Sequence, residues 1–313
     1  MKSQTNTYVA FLSLVAAIGG ILFGYDTAVI SGTISGVASQ FSLDAMQQGW
    51  FVGCALVGSI GGVAVAGVLS DRFGRKLTML LSAVLFTVSA VGCAVSADFI
   101  QLVVYRIVGG VGIGVVSIVS PMYISEVAVA RWRGTLVSLY QLAITVGFLA
   151  AYLVNFQILK SAETAVYASP WMQKIWVTEL WRGMFGAETL PALLFFTVIF
   201  FIPESPRWLA MKGKREKAWS VLSRIGGNRY AERELQMVEQ TSASKSEGGL
   251  KLLFSRPFRK VLVLGVIVAV FQQWCGTNVI FNYAQEIFQS AGYSLGDVLF
   301  NIVVTGVANV IFT

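Results

Sequence analysis

Histidine is missing from this 313-residue chain. Imidazole is therefore excluded as a general base and as a metal ligand. Charge is scarce: 12% of the residues are Asp, Glu, Lys or Arg, against about 25% in a soluble globular domain. The three cysteines, Cys54, Cys93 and Cys275, all lie in apolar runs and lack the spacing of a metal site. They read as small buried hydrophobes. No nucleophile–base pair or ligand cluster stands out, so neither an enzyme nor a bound cofactor or metal is expected. Apolar side chains fill the space instead, at 56% of the sequence. Such a chain is an all-α membrane protein. Its net charge of +7 is not the mark of a nucleic-acid partner. The basic residues cluster between apolar runs, where membrane topology accounts for them.

Apolar runs of spanning length fall at 8–31, 49–69, 77–97, 99–124, 136–159, 184–202 and 260–283. An eighth begins near Val298 and is still apolar at Thr313, so the chain reads as a fragment cut within that span. The expected organisation is a six-helix bundle over 1–202, a cytoplasmic linker of short helices over 203–259, and the start of a second bundle over 260–313. In the linker, Ala218, Val221, Leu222 and Ile225 recur at helical spacing, with Gly226 and Gly227 as a stop. Residues 229–240 suit a second short helix, and 241–249 read as a connector. A cleaved signal peptide is not expected, because the first run is long, contains Asp26 and is followed by further spans.

Arg72, Arg75 and Lys76 follow the second run, and Arg131 and Arg133 follow the fourth. The loops after the first and third runs hold no Lys or Arg. The positive-inside rule then puts the amino terminus and the even-numbered loops in the cytoplasm. Gly49 and Gly53, Gly58 and Gly62, and Gly110 and Gly114 are each four apart, a spacing that lets helix backbones approach closely in lipid.

Two charges lie deepest in the first four spans. Asp26 is in the outer half of the first, and Arg106 lies about two turns below the outer surface in the fourth. A carboxylate at such depth costs roughly 2.5–3.5 kcal/mol on insertion scales. A guanidinium beside it makes the ionised form tolerable. The pair is either a coupling device opened by a proton or a static bridge between two spans. Farther on, Gln272, Gln273 and Asn278 supply amides, each both donor and acceptor, suited to hydroxyl-rich ligands or to gluing helices together. Gln273 and Asn278 are about 140° apart on an ideal helix and converge more easily if the helix loosens at Gly276. Glu286, just past the seventh run, reads as solvated.

The loop Gly67-Val-Leu-Ser-Asp71-Arg72-Phe-Gly74-Arg75-Lys76 resembles the signature loop of the major facilitator superfamily. Arg106-x-x-Gly109-Gly-x-Gly112-x-Gly114, Tyr123-Ile-Ser-Glu126 and Arg133-Gly134 resemble the sugar-porter pattern within it. So do the run from Pro203 to Leu209 (Pro-Glu-Ser-Pro-Arg-Trp-Leu), Gln272-Gln273-x-x-Gly276-x-Asn278, and the opening Gly-Gly-x-Leu-Phe-Gly-Tyr-Asp26. Bacterial xylose–proton symporters are the most similar members. The resemblance implies a major facilitator fold: a complete amino-terminal six-helix bundle plus the first two helices of the second. It implies proton-coupled symport of a monosaccharide, a pentose such as xylose or a hexose, across the inner (cytoplasmic) membrane by a multi-pass monomer. A passive sugar or polyol facilitator and a non-transporting sugar sensor are the alternatives.

Carried over by position, the resemblance makes Asp26 the proton acceptor, Arg106 its partner and Glu188 a carboxylate linked to coupling. Gln141, Gln272, Gln273 and Asn278 become sugar contacts and Phe23 an aromatic wall. Asp71, Arg75, Glu126, Arg133, Glu204 and Arg207 become a cytoplasmic charge network. The sequence departs from the pattern at Asn282, where the family has the first of two aromatics and only Tyr283 remains.

Overall fold

A computed structural model describes residues 2–164, 169–243, 255–293 and 295–313. Secondary structure among them is entirely helical. The order is α1 (Lys2–Val29), a 3-10 turn (Ile30–Gly32), α2 (Ile34–Phe41), α3 (Ala45–Phe73), α4 (Arg75–Val95), α5 (Phe99–Val127) and α6 (Arg133–Ala162). Then come α7 (Pro170–Gln173), α8 (Leu180–Ala187), α9 (Thr189–Ile199), α10 (Pro206–Met211), α11 (Arg215–Gly226) and α12 (Asn228–Ala243). The last four are α13 (Arg256–Trp274), α14 (Thr277–Asn282), α15 (Ala284–Ser290) and α16 (Leu295–Phe312). Seven helical segments among the described residues are long and apolar enough to cross a membrane, and they fall on the seven expected runs. The eighth run forms the shorter apolar helix Phe300–Phe312.

Two of the spans that start earlier than their apolar runs suggest do so for a polar reason. In α3 the Asp44 side chain accepts from Gln47 N at 2.7 Å, and Gln47 Oε1 accepts from Asp44 N at 3.1 Å. This reciprocal capping box adds a turn before Gly49. The sixth span begins at Leu180 rather than Met184. Its first turn carries the buried Arg182, which donates to Ala94 O at 3.1 Å and Ser96 O at 2.6 Å. Those carbonyls lie at the end of α4, so Arg182 supplies donors that a helix terminus lacks.

Glycine sets the helix pairing. A Cβ built on Gly58 would lie 2.1 Å from Ile107 O, and one on Gly114 would lie 2.1 Å from Ser59 O. Thus α3 and α5 touch backbone to backbone. The same holds for α1 and α6, where a Cβ on Gly24 would lie 2.0 Å from Ile144 O. Gly49 and Gly53, despite the same spacing, have nothing within 4 Å. The spacing permits close approach but does not select the face that uses it.

Helices α10, α11 and α12 pack on one another beyond the end of the bundle that carries the Asp71 loop. Ala218, Val221, Leu222 and Ile225 are the buried face of α11, and Gly227 ends it at φ +82°. Residues 244–249 of the expected connector lie outside the described residues.

The seventh span breaks where expected: Gly276 takes φ +77° between α13 and α14. The side chains of α13 described here are exposed apart from the half-buried Leu262, and Cys275 beyond its end is exposed rather than buried as its run suggested. Beyond the break, α14 packs against α1 and the 30–32 turn, and Phe281 lies against Phe148 of α6 with ring centroids 5.4 Å apart. Helix α16 lies along α6. Glu286, expected in solvent, is half-buried, and both its carboxylate oxygens are shielded from water. Packing of α15 against α16 and the 30–32 turn accounts for the difference.

Candidate functional site: a buried charge cluster and a polar latch

The bundle closes around an ion pair. Arg106 Nη1 donates to Asp26 Oδ1 at 2.7 Å, and the two side chains are 2% and 1% exposed. Helix α1 supplies the carboxylate and α5 the guanidinium, across 80 positions of chain. Gly109, one turn past Arg106, makes room: a Cβ there would lie 2.4 Å from Ser89 Oγ and 3.6 Å from Asp26 Oδ1. The Phe185 ring of α8 lies 5.3 Å from the Arg106 guanidinium carbon. That contact is a cation–π interaction in a dry setting, where it is strongest.

Glu188 arrives from the break between α8 and α9. It is 1% exposed and interacts electrostatically with both Asp26 and Arg106. Among the described residues Asp26 Oδ2, Arg106 Nε and Glu188 Oε1 have no hydrogen-bond partner. Two carboxyl groups thus share one guanidinium in a site sealed from water. In such a cluster the charge on either carboxyl governs how firmly α1, α5 and the sixth span are tied.

At the end of the bundle bearing the Asp71 loop, the expected charge network assembles in part. Arg75 grips Glu126 with two parallel bonds, Nε to Oε2 and Nη2 to Oε1, each 3.0 Å. Its Nη1 reaches Ser70 O at 3.0 Å and Asp71 Oδ1 at 3.2 Å. Glu204 caps α4, accepting from Arg75 N at 2.9 Å and from Lys76 N at 3.1 Å. A carboxylate at a helix N-terminus satisfies amides that have no partner in the helix and complements its dipole. Gly74, at φ +97°, permits the approach, since a Cβ there would lie 2.2 Å from Glu204 Oε2. Burial pushes the Glu204 carboxyl above its ordinary value, while the amides of Ser205, Lys76 and Arg75 and the Arg75 charge pull it back.

Arg133 and Arg207 are exposed and line a neighbouring cavity of about 360 Å³ with Glu126 and Glu234. No described ion pair within 4 Å involves either of them. Three partners were not singled out in advance. Ser205 donates to Glu126 Oε2 at 2.6 Å, Trp208 Nε1 donates to Asp71 O at 3.0 Å, and Lys76 Nζ donates to Ile202 O at 2.8 Å. Ser205 and Trp208 stood in the motif read from the sequence, but their roles depend on where the chain returns after the sixth span.

The proposed sugar contacts lie on two elements. Gln141 is exposed on α6, next to Tyr140, whose carbonyl would be 2.8 Å from a Cβ on Gly20. Phe23 is half-buried one turn along α1, so the two side chains lie at a similar depth. Gln272 and Gln273 are exposed at the end of α13, just before the Gly276 break. Asn278 falls in α14, with its side chain outside the described part of the structure.

A family model described as "Sugar (and other) transporter" matches residues 12–313. This chain belongs to that sugar transporter family. Its seven described helices long and apolar enough to cross a membrane fit a multi-pass membrane protein of that family. Among family members it is 38% identical over 314 residues to an arabinose-proton symporter of Bacillus subtilis, covering all of this chain and 65% of that protein. It is 39% identical over 341 residues to a D-xylose-proton symporter of Escherichia coli, covering all of this chain and 67% of that protein. The chain therefore spans about two thirds of the length of these relatives.

In structure it is similar to the proton:xylose symporter XylE bound to 6-bromo-6-deoxy-D-glucose. The TM-score is 0.86 at 38% identity, over 98% of this chain and 68% of the other. The match to the inward-open form of XylE from E. coli has a TM-score of 0.77 at 37% identity, over 97% of this chain and 67% of the other.

Proposed function

We propose that this chain serves proton-coupled symport of a monosaccharide, a pentose such as xylose or a hexose, by alternating access. The observation that carries the reading is the sealed ion pair of Asp26 and Arg106 with Glu188 beside it. An ionisable group kept at such cost in the membrane interior suits a proton-driven carrier better than a passive one. The similarity to arabinose- and xylose-proton symporters supports the same view.

Sugar binds at Gln141, Gln272, Gln273 and Asn278, with Phe23 against its C–H face. Amides suit this cargo because each donates and accepts without charge. A proton reaching Asp26 weakens its hold on Arg106 and frees the amino-terminal bundle to rock against the second. Asp71, Arg75, Glu126 and Glu204, joined by Arg133 and Arg207, hold the cytoplasmic side shut until then. The amino terminus and the Asp71 loop face the cytoplasm, following the basic residues Arg72, Arg75 and Lys76. The protein acts as a monomer in the inner (cytoplasmic) membrane, with 1–202 as one bundle, 203–259 as cytoplasmic linker and 260–313 as the start of another.

The test uses the protein expressed from its complete coding sequence and reconstituted in proteoliposomes. An inward proton gradient is expected to drive xylose, arabinose or glucose above equilibrium. Asp26→Asn should abolish accumulation while sparing sugar exchange. Accumulation by Asp26→Asn would exclude the proton role, and equilibration without accumulation by the wild type would make the protein a facilitator.

A further inference from the structure

At the outer end of the bundle, buried oxygens lacking a donor gather around the turn Ile30–Gly32. Asn155 Oδ1, Asn282 Oδ1 and both carboxylate oxygens of Glu286 have no hydrogen-bond partner among the described residues. Asn155 is fully buried, and its Nδ2 donates to Val29 O at 3.2 Å. That bond fixes the amide's orientation and leaves Oδ1 as an open acceptor. Gly32 backs onto the same side chain, since a Cβ there would be 2.5 Å from Asn155 Nδ2. One turn earlier on the same face of α6, Tyr152 donates to Phe281 O at 3.3 Å, which brings Asn282 alongside. Helices α14 and α15, which end on Asn282 and carry Glu286 respectively, both pack on the 30–32 turn.

Each such acceptor left bare costs about 1–3 kcal/mol, and a carboxylate costs more. A set so expensive needs donors. Hydroxyl hydrogens are the donors a monosaccharide carries, and the amides of Gln272 and Gln273 lie just across the Gly276 break.

We propose that Glu286, Asn282 and Asn155 form an outer subsite that accepts hydroxyl hydrogens of the entering sugar and selects among sugars by their orientation. The proposal rests on the reading that the cargo is a monosaccharide. It also gives Asn282 a role where the family pattern has an aromatic: one wall of the path becomes an acceptor instead of a ring. A site built to bind a hydroxyl rejects the analogue that lacks it far more strongly than an apolar wall does.

The experiment measures binding of D-xylose and its mono-deoxy analogues to the protein expressed from its complete coding sequence, by titration calorimetry in detergent. In the wild type, one deoxy analogue should bind about tenfold or more weakly than xylose, as expected for loss of a bond to a charged acceptor. Glu286→Gln should weaken xylose by a similar factor and remove the difference between xylose and that analogue. Asn282→Leu, uncharged and similar in volume, should shift binding the same way and serves if Glu286→Gln does not fold. If the wild type binds no monosaccharide, the functional reading fails and the subsite fails with it. If the wild type binds xylose and both variants bind every analogue as it does, the subsite is overturned while the functional reading stands. A sodium-dependent gain in affinity that both variants lose would also overturn it, because the oxygens would then hold a cation.

Discussion

Arg106 is fixed by contacts from three helices: a charge from α1, a ring from α8 and space granted by Gly109 on its own helix. Removing one member of a buried ion pair strands the other, at a cost of about 3–5 kcal/mol. Arg106→Met is therefore expected to lower stability strongly in detergent unfolding titrations, and Asp26→Asn in the same chain should recover part of the loss. Equal stability of the single and double variants would show that the two charges do not act as a unit. The depth of Asp26 and Arg106 could be read from residue order, because 1.5 Å of rise per residue converts position into depth. Glu188 came with them from the family resemblance alone, and Phe185 joined only in three dimensions: the break after α8 aims both toward α5, and no local pattern encodes that aim. Glu286 shows the opposite failure. Its distance from the apolar run suggested water, and the packing of α15 on the 30–32 turn removed it.

At the scale of helices, contact follows backbone access more than spacing. Gly114→Ala puts a methyl where Ser59 O stands 2.1 Å away, so α3 and α5 must separate. Gly53→Ala meets open space and gains about 1 kcal/mol of helix propensity. Thermal midpoints should therefore fall for Gly114→Ala and hold or rise for Gly53→Ala. A drop in both would mean that Gly53 faces a partner. The helix ends opposite the Asp71 loop are tied differently. Glu179 takes donors from Arg182 and from Gln40, the latter at 3.1 Å, and lies 3.5 Å from Lys174 Nζ, while Gln40 accepts from Trp181 Nε1 at 2.7 Å. Burial alone would raise the Glu179 carboxyl; the bonds from Arg182 and Gln40 and the charges of Arg182 and Lys174 hold it below its ordinary value. This clasp therefore adds stability at neutral pH and loses it as pH falls through the depressed value. Glu179→Gln should flatten the acid limb of the stability–pH curve and leave the neutral plateau slightly lower. An unchanged acid limb would dismiss the clasp.

For the whole molecule, the spans and the linker helices were legible because lipid imposes one requirement, an apolar helix of set length, on every crossing. The polar contacts between distant ends were less legible, since they depend on which loop meets which helix. Arg133 and Arg207 illustrate this: motif position placed them in the network, whereas the fold sets them on the rim of a cavity beside it. Orientation is open to direct measurement in a cysteine-free background. Lys174→Cys should react with an impermeant maleimide on intact cells, and Lys214→Cys only after permeabilisation; the reverse would invert the topology. The cap of Glu204 on α4 carries one more consequence. A single carboxylate serves two amides of one helix while its own segment enters the next, so parting the two strips both amides at one stroke. The cap itself has no halfway stage to rest in. Loss of the cap should therefore be abrupt, with a threshold, and a weakened cap should show as more frequent partings of the two segments rather than wider ones.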